Sequence, residues 1–379
     1  MDEAETSTRE SSGGLTAGRG RRQRLAMRPR RRHGLALLVL LAGCGEAGSP
    51  AAPSPTPTPA LDLEPLRAAA RASGRRVGAA VQAGLLRAGP DYAAVAARHF
   101  DHVTAEFEMK WGPIERQPGQ RSYEAADEIV AFAEAHGMGV KGHALVWHGD
   151  SPAWLEGLSI PELRIALEDH IRTTVGRYRG RVFAWDVVNE AIADGRPGLR
   201  DTLFLRRLGP GYVAEAFRLA READPDVLLV YNDYGGEGLG RKSDDVYDLV
   251  RGLVEEGAPI GGVGLQMHLD AAGYPSAADI ASNMRRLAAL GLLVNVSEMD
   301  VRVARLPAEG RLEAQRRVYH DVVAVCLAEP GCHAVTFWGF TDRHSWIDSF
   351  FGPDDPLLFD ESLRAKPAFF GVRDALEGR

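Results

Sequence analysis

From about residue 61 onward, short runs rich in β-branched and apolar residues alternate with longer stretches. In the longer stretches apolar residues recur every three or four positions. The first pattern suits strands and the second amphipathic helices. Strands are predicted over Val77–Val81, His102–Glu106, Val140–Val146, Phe183–Val188, Leu228–Asn232, Gly262–His268, Leu293–Glu298 and Ala334–Trp338. Helices are predicted over Ala125–His136, Pro161–Tyr178, Tyr212–Ala223, Ser243–Glu256, Ala277–Leu290 and Leu312–Leu327. Pro161 stands where a first helical turn tolerates it, and Gly291 follows a helix end. Eight such units over residues 61–379 predict an α/β protein with a (β/α)8 TIM barrel. A doubly wound open sheet would need a Gly-rich phosphate turn after its first strand, and none is present.

The first 60 residues follow neither pattern. Arg28, Arg30, Arg31 and Arg32 precede an apolar run, Leu35–Ala42, then Gly43 and Cys44. A basic region, a short apolar core and small residues mark an export signal. The ending Leu41-Ala42-Gly43-Cys44 resembles a bacterial lipobox, in which the Cys is lipidated and becomes the new N-terminus. Residues 1–44 are read as that signal, whose true start is expected at Met27. Arg31-Arg32 also leaves twin-arginine export open beside the general route. The apolar run is too short to span a bilayer. Gly45 is not the Asp that retains lipoproteins at an inner membrane, which leans the expectation toward an outer membrane. Residues 45–60 alternate Pro with Ser and Thr. Such a run favours extended polyproline conformations and reads as a spacer.

Charge sharpens this division. Residues 1–44 carry nine Arg and four acids, so +5 of the whole-chain −7 lies there and the remainder carries −12. A body that acidic makes a poor nucleic-acid partner. Beyond Cys44 there are two cysteines, Cys326 and Cys332, and in an exported protein they suggest one short disulfide.

Polar residues gather at the C-terminal ends of the predicted strands, the catalytic face of barrel enzymes. Strand four ends in Asn189-Glu190. Strand seven carries Glu298 and Asp300 with the same parity, and strand six does the same with Gln266 and His268. Strand three gives Lys141, His143, Leu145 and Trp147, then His148. Two carboxyl groups on separate strands facing one mouth are what glycosidic cleavage needs. One donates a proton to the leaving oxygen, and the other attacks the anomeric carbon or steers water to it. Trp147, Trp154, Trp338 and Trp346 fall at or beyond strand ends, where indole faces can stack on sugars. Trp154 reads as ordinary packing.

Over residues 61–375 the chain resembles glycoside hydrolase family ten, the endo-β-1,4-xylanases. The likeness rests on Glu106-Phe-Glu-Met-Lys110-Trp111, Gly142-His143-Ala-Leu-Val-Trp147-His148, Trp185-Asp-Val-Val-Asn189-Glu190, Tyr231-Asn-Asp-Tyr234, Gln266-Met-His268, Ser297-Glu298-Met-Asp300 and Phe337-Trp338-Gly339-Phe-Thr-Asp342. Pro356-Leu-Leu-Phe-Asp360 and Lys366-Pro367 extend it. The resemblance implies double displacement with retention, with Glu190 as acid/base and Glu298 as nucleophile. It implies that Asn189 bonds the sugar 2-hydroxyl, that His268 touches Glu298, and that Asp300 orients that imidazole. Gln266 is implied to hold the nucleophile and the 2-hydroxyl. Lys110, His143, Trp147, Trp338 and Trp346 are implied to line the −1 sugar, and Glu106 to reach the −2 sugar. The implied partner is xylan or a xylooligosaccharide, bound by a monomer that needs no cofactor and no metal and meets a membrane only through its lipid.

Three positions depart from the family pattern: Phe107 replaces an Asn, Asp150 a Gln and Ile347 an Arg. All three bear on the sugar subsites and leave the carboxylate pair intact. A related β-glycanase acting on cellulose or mannan is a second reading. A metal-dependent barrel hydrolase using His143, His148, His268 and Asp300 is a third, although no His-x-His pair is present. A carbohydrate-binding lipoprotein without turnover is a fourth.

Overall fold

The computed structural model describes residues 58–379. The signal, Cys44 and most of the Pro-rich spacer lie outside the described residues. Eight parallel strands close into a barrel: β1 (Arg76–Val81), β2 (His102–Ala105), β3 (Gly139–Gly142), β4 (Ala184–Asn189), β5 (Leu228–Asp233), β6 (Gly262–Leu265), β7 (Leu293–Arg302) and β8 (Cys332–Phe337). Each pairs with its neighbours in chain order, and β8 returns to β1 in register Arg76 with Ala334 through Ala79 with Phe337.

One main helix follows each strand: α1 (Pro90–His99), α2 (Glu124–Ala135), α3 (Ile160–Arg177), α4 (Tyr212–Ala223), α5 (Arg241–Glu255), α6 (Ala277–Ala288), α7 (Arg311–Ala328) and α8 (Pro367–Leu376). Local chemistry explains the boundaries. Ser159 and Glu162 form a capping box at the start of α3, with Pro161 in the first turn. The Ser276 hydroxyl accepts the Asp279 amide 3.1 Å away to start α6. Gly291 has φ 83°, which lets the chain turn from α6 into β7 without a Cβ clash. Each helix buries one stripe on the barrel. On α4 that stripe includes Val213, Ala216, Phe217 and Ala220.

The eight predicted strands match in number and order, with three differences, and the six predicted helices are joined by Pro90–His99 and Pro367–Leu376. Predicted strand three is interrupted after Gly142 and resumes as Val146–Trp147, with a cis peptide between His143 and Ala144. Predicted strand six stops at Leu265 and resumes as His268–Asp270, because Met267 adopts φ 63°. β7 runs four residues beyond its predicted end, since His268–Asp270 pairs with Asp300–Arg302 and prolongs the ladder. Cys326 near the end of α7 and Cys332 at the start of β8 form a disulfide. Among the described residues no helix is long and apolar enough to cross a membrane.

Candidate active site

Glu298 lies inside β7 and is buried. Its Oε1 accepts Asn232 Nδ2 at 2.6 Å and lies 3.7 Å from His143 Nδ1, while His268 Nε2 sits 3.3 Å from Oε2. The other imidazole nitrogen of His268 is 2.9 Å from Asp300 Oδ2, and Asp300 also receives Trp346 Nε1 at 2.8 Å. Burial alone would push Glu298 up. His143, the His268 hydrogen bond and Lys141 outweigh it and hold the carboxyl down at about 2. Burial likewise opposes a charge on His268, yet Asp300 and Glu298 raise that imidazole to about 10. Glu298 is therefore a buried anion facing an imidazolium.

Glu190 stands one residue past β4, partly exposed, with φ 57°. A non-glycine residue keeps that conformation only when its surroundings over-determine it. Here the Glu190 amide donates to the Asn232 carbonyl (2.8 Å), Arg200 Nε donates to the Glu190 carbonyl (3.0 Å), and the Ala191 amide donates to the Tyr231 hydroxyl (3.1 Å). The side chain is thereby aimed at the mouth while the backbone is clamped.

Three amides join the two carboxylates. Asn232 Nδ2 donates to Glu298 and, at 2.8 Å, to Asn189 Oδ1. Gln266 Nε2 donates to Asn189 Oδ1 (3.2 Å) and to Glu190 Oε1 (3.3 Å). Ser297 Oγ donates to Asn232 Oδ1 at 2.6 Å, which fixes which way that amide faces. With its carbonyl oxygen so occupied, Asn189 turns its Nδ2 toward Glu190, 3.3 Å away. Gln266 thus serves Asn189 and Glu190, and the amide that holds Glu298 is Asn232.

Below this layer His143 Nδ1 and Lys141 Nζ meet Asp186 Oδ2 at 2.9 and 2.7 Å. His143, Asp186 and Glu298 bring ligand-capable atoms within 4.8 Å of one another. Lys141 already balances the Asp186 charge, and His143 fills the space between the two carboxylates. Trp338 lies edge-on to His143 with ring centroids 4.9 Å apart, and Trp346 edge-on to His268 at the same distance.

The remaining predicted residues form the far rim. Lys110 is buried with its Nζ 4.5 Å from the Trp147 ring and 4.9 Å from the Phe107 ring. Burial lowers its pKa, against the pull of Glu298, Asp150, Glu106 and Glu190. Glu106 accepts Gln82 Nε2 at 3.0 Å, and burial pushes it up to about 7. Phe107 is 41% exposed. Asp150 packs beside Gly112, leaving no room for a Cβ there, and Ile347 is fully buried. Trp154 packs on Trp111 and donates to the Glu115 carbonyl.

Sequence reasoning gave no role to Asn232, Asp186, Lys141 or Ser297. Asp186 carried a signal: it shares parity with Val188 inside an otherwise apolar strand. So did Asn232, which closes the apolar run Leu228-Leu-Val-Tyr231. Ser297 had none, because its use depends on a neighbour 65 residues away.

The glycosyl hydrolase family 10 profile matches residues 65–375. The chain belongs to that family. Endo-1,4-beta-xylanase B of Thermotoga neapolitana is 42% identical over 76% of this chain and 83% of its own length. Endo-1,4-beta-xylanase B of Paenibacillus barcinonensis is 38% identical over 81% and 97%. Native xylanase 10B of Thermotoga maritima superposes with a TM-score of 0.80 at 39% identity, covering 83% of this chain and 98% of that one. Xylanase 10B of Thermotoga petrophila, in complex with xylobiose, gives the same score at 38% identity, over 83% and 97%. In this family 10 member the carboxylate pair, its amides and its imidazolium occupy the C-terminal mouth of the barrel.

Proposed function

We propose that this protein is an endo-1,4-β-xylanase that cleaves internal bonds of xylan by double displacement. The observation that carries the reading is the contrast between its two carboxyl groups. Glu298 is a buried anion held by Asn232 and His268 and suits a nucleophile, which must stay ionised. Glu190 sits at the open mouth, where a proton can pass to the leaving oxygen and later be taken back from water. In the second step the same Glu190 takes a proton from the water that attacks the glycosyl ester on Glu298. Asn189 presents Nδ2 for the 2-hydroxyl of the −1 sugar. Lys110, His143, Trp147, Trp338 and Trp346 line that sugar, and Glu106 reaches the next.

The test is turnover of soluble arabinoxylan by residues 61–379 beside Glu298→Ala and Glu190→Ala. Wild type should release short xylooligosaccharides whose new anomeric centre is first β. Both variants should lose at least about 10³-fold. Release of the α-anomer first would overturn double displacement. Cleavage confined to an activated aryl xyloside would overturn xylan as the substrate.

We further propose that the enzyme is exported and lipid-anchored through Cys44, with residues 45–60 as spacer and the catalytic domain acting as a monomer. Wild type should label with radioactive palmitate and sediment with membranes. Cys44→Ser should do neither, and its soluble form should have a one-chain mass by light scattering. Equal labelling of both proteins would refute the anchor, and a larger mass would refute the monomer.

A further inference from the structure

Gln266 and His268 leave one short stretch of chain for opposite halves of the site. Gln266 reaches Asn189 and Glu190, while His268 reaches Glu298 and Asp300. In an unbroken strand their side chains would point the same way. The residue between them, Met267, parts them by adopting φ 63°, with its side chain fully buried. A left-handed turn at a non-glycine residue is strained and persists only when other contacts enforce it. It also turns the Met267 amide toward a side-chain acceptor. That acceptor is Glu237, on the loop between β5 and α5. Its Oε1 accepts the Gly235 amide at 2.8 Å and the Met267 amide at 3.4 Å, and the residue is 6% exposed.

Glu237 is itself held. Asn283 on α6, also buried, donates its Nδ2 to the carbonyls of Gly236 (2.7 Å) and Glu237 (3.2 Å). Arg286 Nε in turn donates to Asn283 Oδ1 at 2.9 Å. A path of hydrogen bonds therefore runs from α6 through the β5–α5 loop to the kink, without entering the sugar cleft. Burial pushes the Glu237 carboxyl up, while its backbone donors and the nearby His268 pull it back.

We propose that Glu237 is a positioning residue: it fixes the kink at Met267 and so sets where Gln266 and His268 meet the two carboxylates. The inference rests on the glycosidase reading of Glu190 and Glu298. It separates two roles that the fold alone would merge. A staple for the β5–α5 loop would move stability and leave the imidazole of His268 undisturbed. A residue that sets the kink must move that imidazole.

The experiment compares Glu237→Gln with Glu237→Leu. Gln keeps an oxygen that can accept both amides, and Leu does not. On arabinoxylan, Glu237→Leu should lose about 10²-fold in kcat, the scale of a 1 Å misplacement of a reacting group. Its KM should stay within about threefold, since ground-state sugar contacts are unchanged. Glu237→Gln should keep kcat within about fivefold of wild type. Imidazole nitrogen resonances of His268 should match wild type in Glu237→Gln and shift in Glu237→Leu. If Glu237→Leu does not fold, Asn283→Ala releases the same loop and should give a smaller kcat loss with the same imidazole shift. A folded Glu237→Leu with wild-type kcat and unmoved His268 resonances would overturn the proposal. So would a Glu237→Gln as crippled as Glu237→Leu, or an Asn283→Ala that lowers Tm alone. The resonances are read without turnover, so they decide the role of Glu237 even where xylan fails as the substrate.

Discussion

At Asn232 one amide serves both halves of the site. Its Nδ2 binds the Glu298 carboxylate and the Asn189 carbonyl, and Ser297 holds its own oxygen. Donors aimed at a reacting charge in a dry site are each worth about 10²–10³ in rate when removed. Asn232→Ala should therefore lose about 10²-fold in kcat/KM on xylan, although no role for Asn232 is evident from the sequence. Asn232→Asp is the sharper case. It sets a carboxyl against Glu298 where a donor stood, and a like charge raises a carboxyl pKa. The acid limb of kcat/KM against pH should move upward in Asn232→Asp. An unmoved limb in a folded variant would show that His268 and His143 alone keep Glu298 ionised.

At the scale of elements, the loop between β8 and α8 carries Trp346 and is tied down by a buried ion pair. Lys366, just before α8, lies 2.7 Å from Asp342, which follows β8. Its Nζ also donates to the carbonyls of Asp355 (2.6 Å) and Leu357 (2.8 Å). Removing one partner of such a pair strands a buried charge and costs about 3–5 kcal/mol. Lys366→Ala should lower stability by that amount and raise KM, because Trp346 rides on the loop. Urea unfolding and xylan kinetics check both, and a loss under about 1 kcal/mol would mean water reaches Asp342. Both residues stood in motifs visible in the sequence, but their pairing did not. Element order, strand ends and the two carboxylates were legible because period-2 and period-3.6 patterns survive in one dimension. The breaks in β3 and β6 were not, since His143-Ala144 and Met267 look like ordinary strand residues. The roles of Asn232 and Ser297 were hidden for a related reason: they are contacts across strands, and contacts have no local spacing.

At the scale of the whole molecule, stability against pH is set by buried groups that titrate in opposite senses. Burial lowers His99 to about 4 and His102 and His170 to about 3. The unfolded chain takes up their protons from about pH 6.5 downward while the native state refuses them, so their contribution is full above 6.5 and lost as pH falls. Glu298, held down at about 2, adds to that loss below its ordinary value of about 4.5. Four buried carboxyls run the other way. Burial raises Asp233 to about 6 and Glu106 and Asp342 to about 7, and it pushes Glu237 up as well. Their contribution is full below the ordinary carboxyl range and lost as pH rises through 6 to 7. His268, raised to about 10, is fully stabilising below 6.5 and weakens steadily above it. Between about pH 4.5 and 6.5 three histidines oppose these carboxyls, so Tm should change little there and fall on both sides. The balance can be tilted one group at a time. In His170→Asn two histidines face the same four carboxyls, and the curve should slope more steeply downward with rising pH across the same window. Thermal unfolding of both proteins from pH 3 to 8 measures the tilt. A variant curve that stays parallel to wild type would mean His170 is protonated in the folded state, its 3.1 Å contact with the Leu145 carbonyl outweighing its burial.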